Sequence, residues 1–176
     1  MNHECIPTQA GGGPRWDCGK LYVEPSHSRD AHPIATRLRP ADRAEVSAVT
    51  RQSPLQVLVD GINESNICFT IKRSSDGRPC GVFGAGGGGG HPKDTRSGMV
   101  WLLGTDDLTL NGRTFLRYSR SFLNEMKKHY SFLYNVIDAR NSVHIRWLGW
   151  MGFDFIKVIP RWGVERRKFI MFSKTI

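Results

Sequence analysis

The stretch Asn141-Ser-Val-His-Ile-Arg-Trp-Leu-Gly-Trp-Met-Gly-Phe153 contains both ends of a short helix and the start of the next strand. Asn141 is a typical N-terminal cap, because its side-chain oxygen accepts a hydrogen bond from a free backbone N–H of the first turn. Gly152 tolerates the positive φ with which many helices end. The stretch therefore predicts a helix over residues 142–150 and a strand that begins at Phe153.

Apolar periodicity divides the chain from residue 34 onward into helices and strands. Strands are predicted where apolar residues alternate or form short runs, and helices where they recur three and four positions apart. The predicted order is strand 34–38, helices 43–51 and 55–62, strands 67–72, 80–84 and 99–103, helix 113–130, strand 132–137, helix 142–150, and strands 153–159 and 168–172. This order predicts an α/β fold with a mixed, mainly antiparallel sheet of six to seven strands and about four flanking helices.

The first 33 residues differ in composition from the rest of the chain. They are rich in Gly, Pro, Ser, His and charged residues, and they follow neither the period of a strand nor that of a helix. Such a composition is typical of poorly ordered termini. We therefore expect residues 1–33 to form a disordered tail and residues 34–176 to form one domain.

The overall composition narrows the class of protein. Its 176 residues, 39% hydrophobic and 23% charged, are typical of a soluble globular domain. No apolar run reaches the length of a membrane span and no secretory signal begins the chain, so we expect a cytoplasmic location. The net charge of +9 is spread along the chain, and its densest group is Arg166-Arg167-Lys168. We expect a solvated basic face, with nonspecific polyanion binding as the alternative.

Two patterns that often mark ligand sites lack the required context here. The four cysteines have no CxxC spacing and no His pair accompanies them, so no metal site is predicted. Cys68 and Cys80 fall on predicted strands, where small buried hydrophobic residues are expected. The run GAGGGGG at residues 84–90 formally matches a dinucleotide-binding pattern, but no helix follows it. We predict a flexible loop there instead.

The predicted order of elements resembles that of the GNAT superfamily, the acyl-CoA N-acyltransferases. Many members carry, in the fourth helix, an Asn, a small residue, Leu-Tyr, three further residues and Gly-Phe. Asn141 and Gly152-Phe153 match the two ends of this pattern, with His144 and Leu148 between them. The resemblance implies a GNAT-like fold with an acetyl-CoA site.

A second resemblance is to the small internal virion protein (gene-thirteen product) family of autographivirus-type short-tailed bacteriophages. It implies an internal virion or virion-assembly protein on a GNAT-like scaffold, which binds other phage structural proteins in the host bacterial cytoplasm or in the virion. The matching residues are Trp101-Leu-Leu-Gly-Thr105, Phe115-Leu-Arg-Tyr-Ser-Arg120, Tyr134-Asn-Val-Ile-Asp-Ala-Arg-Asn141, Ser142-Val-His-Ile-Arg-Trp-Leu148, Gly152-Phe153 and Phe169-Ile-Met-Phe172.

The GNAT resemblance also assigns candidate cofactor residues. Its pyrophosphate loop reads Gln/Arg-x-x-Gly-x-Gly/Ala, and only Gly112 matches that pattern here. Asp106 and Asp107 lie in the same segment and would repel a pyrophosphate unless they turn away. By position, the residues that would hold acetyl-CoA are Leu103, Gly104, Thr105, Gly112, Arg113, Thr114 and Asn141.

The catalytic groups of the superfamily are poorly matched. Many members use a Tyr in the fourth helix to protonate the departing thiolate, whereas this chain has Leu148, which holds no proton. The strand at residues 99–103 has no carboxylate, and His144 is a weak candidate base, with helix packing as its alternative role. We therefore expect an inactive scaffold, with an active N-acetyltransferase as the alternative. An open cleft between the fourth and fifth predicted strands would favour the enzyme, and a filled cleft the scaffold.

A few other side chains have two open interpretations. Asp138 is expected to cap the turn into Asn141 rather than to orient a substrate. Trp150 and Trp162 belong either to the core or to an exposed surface that binds a partner.

Overall fold

A nine-stranded sheet lies at the centre of the computed structural model, which describes residues 6–10, 13–87 and 96–176. Its spatial order is β1-β2-β3-β4-β5-β6-β7-β9-β8, and every neighbouring pair is antiparallel except β6 and β7. The mixed, mainly antiparallel sheet is thereby confirmed. The strands are β1 (Ile6–Ala10), β2 (Gly13–Asp17), β3 (Leu21–Pro25), β4 (Ser65–Arg73), β5 (Pro79–Gly87), β6 (Ser97–Gly104), β7 (Phe132–Asp138), β8 (Asp154–Trp162) and β9 (Arg167–Thr175).

Helices cover both faces of the sheet. The first three pack on one face, around Ile34, Leu58 and Leu103, and the last two pack on the other, around Phe122 and Leu148. Within the described ranges, no helix is long and apolar enough to cross a membrane. The helices are α1 (Ala31–Ala35), α2 (Pro40–Val49), α3 (Pro54–Glu64), α4 (Asp106–Leu110), α5 (Gly112–Lys127) and α6 (Ser142–Trp150).

The ends of α6 follow the sequence prediction. The Asn141 side chain accepts a hydrogen bond from the backbone N–H of His144, and Gly152 has a φ of 78°. The backbone N–H of Phe153 donates to the Leu148 carbonyl at 3.0 Å, which satisfies one of the last helical oxygens. Local capping chemistry therefore fixes where this helix starts and stops.

The predictions for the N-terminal part of the chain were wrong. Residues 13–17 and 21–25 form sheet strands, with Trp16, Leu21 and Val23 buried, and β3 pairs with β4 along its whole length. The predicted strand at residues 34–38 is instead the end of α1 followed by a turn, and only Leu38 forms a β-bridge, to Thr105. Residues 1–5 and 11–12 of the expected disordered tail lie outside the described ranges.

Three other predictions also change. Residues 84–87 of the glycine run continue β5 instead of forming a loop, and residues 88–90 lie outside the described ranges. The segment between the predicted strand 99–103 and the predicted helix 113–130, for which no element was predicted, contains α4. Met99, in the apolar run that predicted the strand at residues 99–103, is 44% exposed rather than buried.

A buried ion pair joins the start of α2 to the end of β6. Arg39 donates to both carboxylate oxygens of Asp42 at 2.8 and 2.7 Å, and the Gly104 backbone N–H donates to the same carboxylate at 2.8 Å. Both side chains are almost fully buried. The Asn141 amide donates to the same carboxylate at 3.3 Å, so four donor groups hold it in a buried environment, where an unpaired charge is costly.

Replacing Asp42 with Asn should destabilise the fold by roughly 3–5 kcal/mol, because the Arg39 charge then stays buried without its partner. Chemical denaturation followed by circular dichroism measures this change. The control is Asp76→Asn, which removes the exposed partner of Arg73 and should change the free energy of unfolding far less. Equal effects of the two variants would contradict the role given to Asp42.

Candidate functional site

The parallel strands β6 and β7 pair over only three positions. The register runs from Ser97 opposite Phe132 to Met99 opposite Tyr134, although both strands continue beyond it. Asn135 stands where they separate. Its side-chain amide donates to the Val100 carbonyl at 2.8 Å, and its side-chain oxygen accepts from the Val136 N–H at 2.7 Å. One side chain thus satisfies backbone groups of both strands at the apex of an open gap. We call this gap, between residues 100–104 of β6 and residues 135–138 of β7, the V.

The backbone of β6 presents hydrogen-bonding groups to this V at alternate residues. The Val100 carbonyl and the Gly104 N–H both point away from β5, since one accepts from Asn135 and the other donates to Asp42. In an antiparallel ladder the groups alternate, so Leu102 also presents its N–H and C=O to the V. Pairing with β7 stops at Met99, so Leu102 has no ladder partner on that side.

The expected cofactor residues at the end of β6 use their backbone groups within the fold. The Gly104 carbonyl accepts from the Arg39 N–H at 3.0 Å, and the Thr105 N–H donates to the Cys80 carbonyl at 2.9 Å. Leu102 is therefore better placed than Gly104 or Thr105 to bind a ligand through its backbone. Sequence reasoning missed Leu102, because which residues face the V depends on strand register, for which the sequence has no local signal.

A cavity of about 630 Å³ passes through the V. Both helical layers contribute residues to its wall, with α2 and α3 on one side of the sheet and α5 and α6 on the other. Leu103 and His144 are the expected site residues that line it together with Leu148. On the side of α2 and α3, the lining includes Glu45, Val49, Val57, Asp60, Glu64 and Trp101. On the side of α5 and α6, it includes Phe115, Ser119, Phe122, Trp147 and Leu148.

Glu45 lines this cavity, and the pKa of its carboxyl lies close to neutral pH. Burial raises the pKa of its carboxyl to about 7, which the hydrogen bond from Asn141 opposes and the negative charges of Asp42 and Asp138 reinforce. The Asn141 amide donates to this carboxyl at 2.9 Å. A carboxyl that is partly ionised at neutral pH can accept a proton and later release it. The sequence signal was Glu45 beside Val46 on an amphipathic helix, which alone did not distinguish it from a surface residue.

His144 is held neutral in a packed position. It is 8% exposed, and its Nε2 accepts a hydrogen bond from the Arg39 guanidinium. Burial lowers the pKa of the imidazole to about 4, and the Arg39 charge adds to this effect while Asp42 opposes it. Because the Nε2 lone pair is engaged, the geometry favours the packing role for His144 over that of a base.

The side of the cavity that faces α5 and α6 is apolar. Leu148 is buried there, and Tyr118 packs into the adjacent core. The described lining includes no Tyr. Leu148 therefore leaves this wall without a tyrosine hydroxyl, and the ionisable group that α6 contributes is His144, which is held neutral.

The N-terminus of α5 has space beside it. A side chain added at Gly112 would meet nothing within 4 Å, and Arg113 is exposed. Asp107 turns toward Arg37 and Arg73, whose guanidinium groups lie 2.8 and 3.3 Å from its carboxylate. The repulsion expected from Asp107 is therefore compensated, and the positive end of the helix dipole remains available to an anion.

Several other sequence expectations are also resolved. Asp138 accepts from the Arg140 backbone N–H at 2.8 Å, as expected for a residue that caps the turn. Cys68 and Cys80 are free thiols rather than a disulfide pair. Trp150 and Trp162 are 43% and 39% exposed, so neither is a core residue. Within residues 6–10, 13–87 and 96–176, no group of three or more His, Cys, Asp or Glu side chains could hold a metal ion.

Replacing Asn135 with Ala should cost about 1–3 kcal/mol, because the Val100 carbonyl and the Val136 N–H lose their partner at the apex. The free energy of unfolding in urea measures the loss. Asn124→Ala, an exposed change on α5, is the matched control and should have little effect. If the two variants unfold alike, Asn135 does not stabilise the apex.

Solved structures with the same fold are numerous, whereas no family model and no curated protein matches the sequence. The ribosomal-protein-S5-alanine acetyltransferase from Vibrio fischeri is 16% identical, with a TM-score of 0.65 over 92% of this chain and 96% of that chain. The yncA protein from Salmonella typhimurium, solved with its cofactor acetyl-CoA, is 10% identical, with a TM-score of 0.66 over 89% and 94%. A GNAT-family acetyltransferase from Bacillus anthracis is 9% identical, with a TM-score of 0.64 over 90% and 96%.

These similarities show that the chain has the GNAT acetyltransferase fold. At such low identity, they show the fold alone. The resemblance to phage internal virion proteins has no support from these comparisons.

Proposed function

We propose that this protein of GNAT acetyltransferase fold is an N-acetyltransferase that binds acetyl-CoA in the V between β6 and β7. The observation that carries the proposal is the cavity of about 630 Å³ that passes through the V. A cleft of this size with a mostly apolar lining is typical of sites that bind small molecules and cofactors. The yncA protein, which shares the fold, was solved with acetyl-CoA.

The residues around the V fit the chemical parts of acetyl-CoA. The free N–H and C=O of Leu102 suit a chain that carries amide groups and lies along β6, as an added strand would. The first turn of α5, at Gly112, Arg113 and Thr114, suits a pyrophosphate. When bound, the cofactor supplies an acetyl group activated as a thioester. The apolar wall near Leu148 would exclude water from that group.

Glu45 is the residue that we assign to proton transfer. An amine attacks only in its neutral form, so a base must first remove a proton from the ammonium group. A carboxyl with a pKa near 7 is ionised in part of the molecules at neutral pH and is well matched to this task. Leu148 contributes no proton, and the lone pair at Nε2 of His144 is already engaged by Arg39.

The pH dependence of acetyl transfer tests the role of Glu45. With acetyl-CoA and a panel of primary amines, kcat/KM should rise through a pH near 7, because the carboxyl must lose its proton to act as a base. Glu45→Gln should lower kcat/KM by roughly 10²–10⁴-fold and abolish this rise with pH. Release of free thiol from acetyl-CoA follows the reaction.

The matched control is Asp154→Asn, which removes an exposed carboxylate that does not line the cavity. It should leave both the rate and the pH profile as in the unchanged protein. If the Glu45→Gln variant keeps the same rate and the same rise of kcat/KM with pH, another group takes the proton.

An assembly role is the second candidate function. It rests on the sequence resemblance and on large apolar side chains exposed along β8 and its turn, namely Phe155, Ile156, Val158, Trp162 and Val164. Exposed aromatic and aliphatic groups of this kind are common in protein interfaces. An assembly role predicts that deleting the gene lowers the yield of phage particles, whereas the Glu45→Gln substitution does not. Loss of yield in both cases would favour catalysis instead.

A further inference from the structure

The wall of the cavity formed by α2 and α3 has the opposite charge to the chain as a whole. Glu45, Asp60 and Glu64 line it, and no Lys or Arg is among the described lining residues. The complete chain has 25 Lys and Arg against 16 Asp and Glu. A cavity that concentrates carboxylates within a basic protein creates a local negative potential, which attracts cations.

Two neutral donors orient the carboxylate of Asp60. The side-chain amide of Gln52 donates to one carboxylate oxygen at 3.1 Å, and that of Gln56 donates to the other at 2.7 Å. Neither donor carries a charge, so the negative charge of Asp60 is oriented without being neutralised. Glu64 lies one helical turn further along α3 and is exposed, without an ion-pair partner in the part of the chain described.

An aromatic ring stands between this helix and the V. The Trp101 indole N–H donates to the Ser65 hydroxyl at 2.9 Å, and that hydroxyl donates to the Gly61 carbonyl at 2.6 Å. Gly61 lets the ring lie against α3, since an added Cβ would come within 2.8 Å of Trp101. A fixed indole face attracts both methylene groups and cations.

We propose that the acceptor is a linear polyamine, an alkyl chain with two or more cationic nitrogens. This inference rests on the proposed acetyltransferase function. The nitrogen to be acetylated loses its proton to Glu45, while Asp60 and Glu64 bind a remote ammonium group and Trp101 contacts the methylenes between. In the transfer, the amine nitrogen forms a bond to the acetyl carbon and the carbon–sulfur bond breaks. The proton that the nitrogen loses as it becomes an amide balances the one that the sulfur takes up to leave as the thiol of CoA.

The same wall is poorly suited to a peptide acceptor. A peptide brings backbone N–H and C=O groups that need hydrogen-bond partners once they leave water. The amides of Gln52 and Gln56 are already engaged with Asp60, and the neighbouring lining of Val46, Val49 and Val57 is apolar. A methylene chain loses no hydrogen bonds against such a surface, whereas a peptide backbone loses the hydrogen bonds that it makes to water.

Binding of spermidine to the full chain without acetyl-CoA tests the inference separately from catalysis. Calorimetry should detect saturable binding, at least tenfold weaker in the double variant Asp60→Asn, Glu64→Gln. Asp154→Asn is the control and should bind spermidine as the unchanged protein does. n-Propylamine, with a single charge, should bind more weakly than spermidine. Absence of spermidine binding, or binding that is equal in the double variant, would overturn the inference.

Acetylation of spermidine separates this inference from the proposed function. The expected result is transfer to spermidine with a KM that rises in the double variant while kcat changes little, because the two carboxylates bind the remote charge. Transfer to a Lys-containing peptide but not to spermidine would overturn the polyamine assignment and leave the acetyltransferase standing. Spermidine binding without transfer to any amine would overturn both.

Discussion

The early end of the pairing between β6 and β7 is the constraint on which the site depends. The helix α5 connects these strands as a crossover, so they must run parallel, and they pair over three positions only. All seven residues of β7 pair instead with β9, which holds β7 in the sheet without help from β6. The V can therefore stay open without loss of the strand, and Asn135 satisfies the backbone groups at its apex.

A buried polar cluster ties the walls of the V together at its wide end. Asp42 holds the Gly104 N–H of β6, and Arg39 reaches across to His144 of α6. Asn141 completes the cluster by donating to Glu45 of α2 while it caps α6. Packing of these elements buries the Glu45 carboxyl and thereby raises its pKa, although the hydrogen bond from Asn141 opposes the increase. The geometry of the scaffold and the proposed chemistry therefore have a common physical origin.

The sequence predicted what depends on local chemistry. The caps of α6, the helix at residues 55–62 and the strands from residue 67 onward follow from periodicity and from Asn, Gly and Pro positions. The prediction from sequence failed for β3. In this strand, the charged Glu24 carboxylate lies 2.7 Å from the ammonium group of Lys72, which belongs to a strand far along the chain. Composition alone does not reveal such a pairing, because a charged residue is expected in a strand only when its partner is known.

The site was predicted less completely for a related reason. Gly112, Leu148 and Asn141 were assigned from the superfamily pattern, and their roles in the site stay predictions. The sequence did not predict a role for Leu102 or Glu45. The direction in which the Leu102 backbone groups point depends on strand register, and the pKa of Glu45 depends on burial by other elements. Both properties arise only when distant segments meet, which is also where the V and its cavity arise.

Isothermal titration of the full chain with acetyl-CoA tests the central claim most directly, because it asks only whether the V binds the cofactor. The account predicts saturable heat that fits one site per chain. Absence of heat at millimolar acetyl-CoA would contradict it and would leave the open V as a feature of a scaffold without a cofactor.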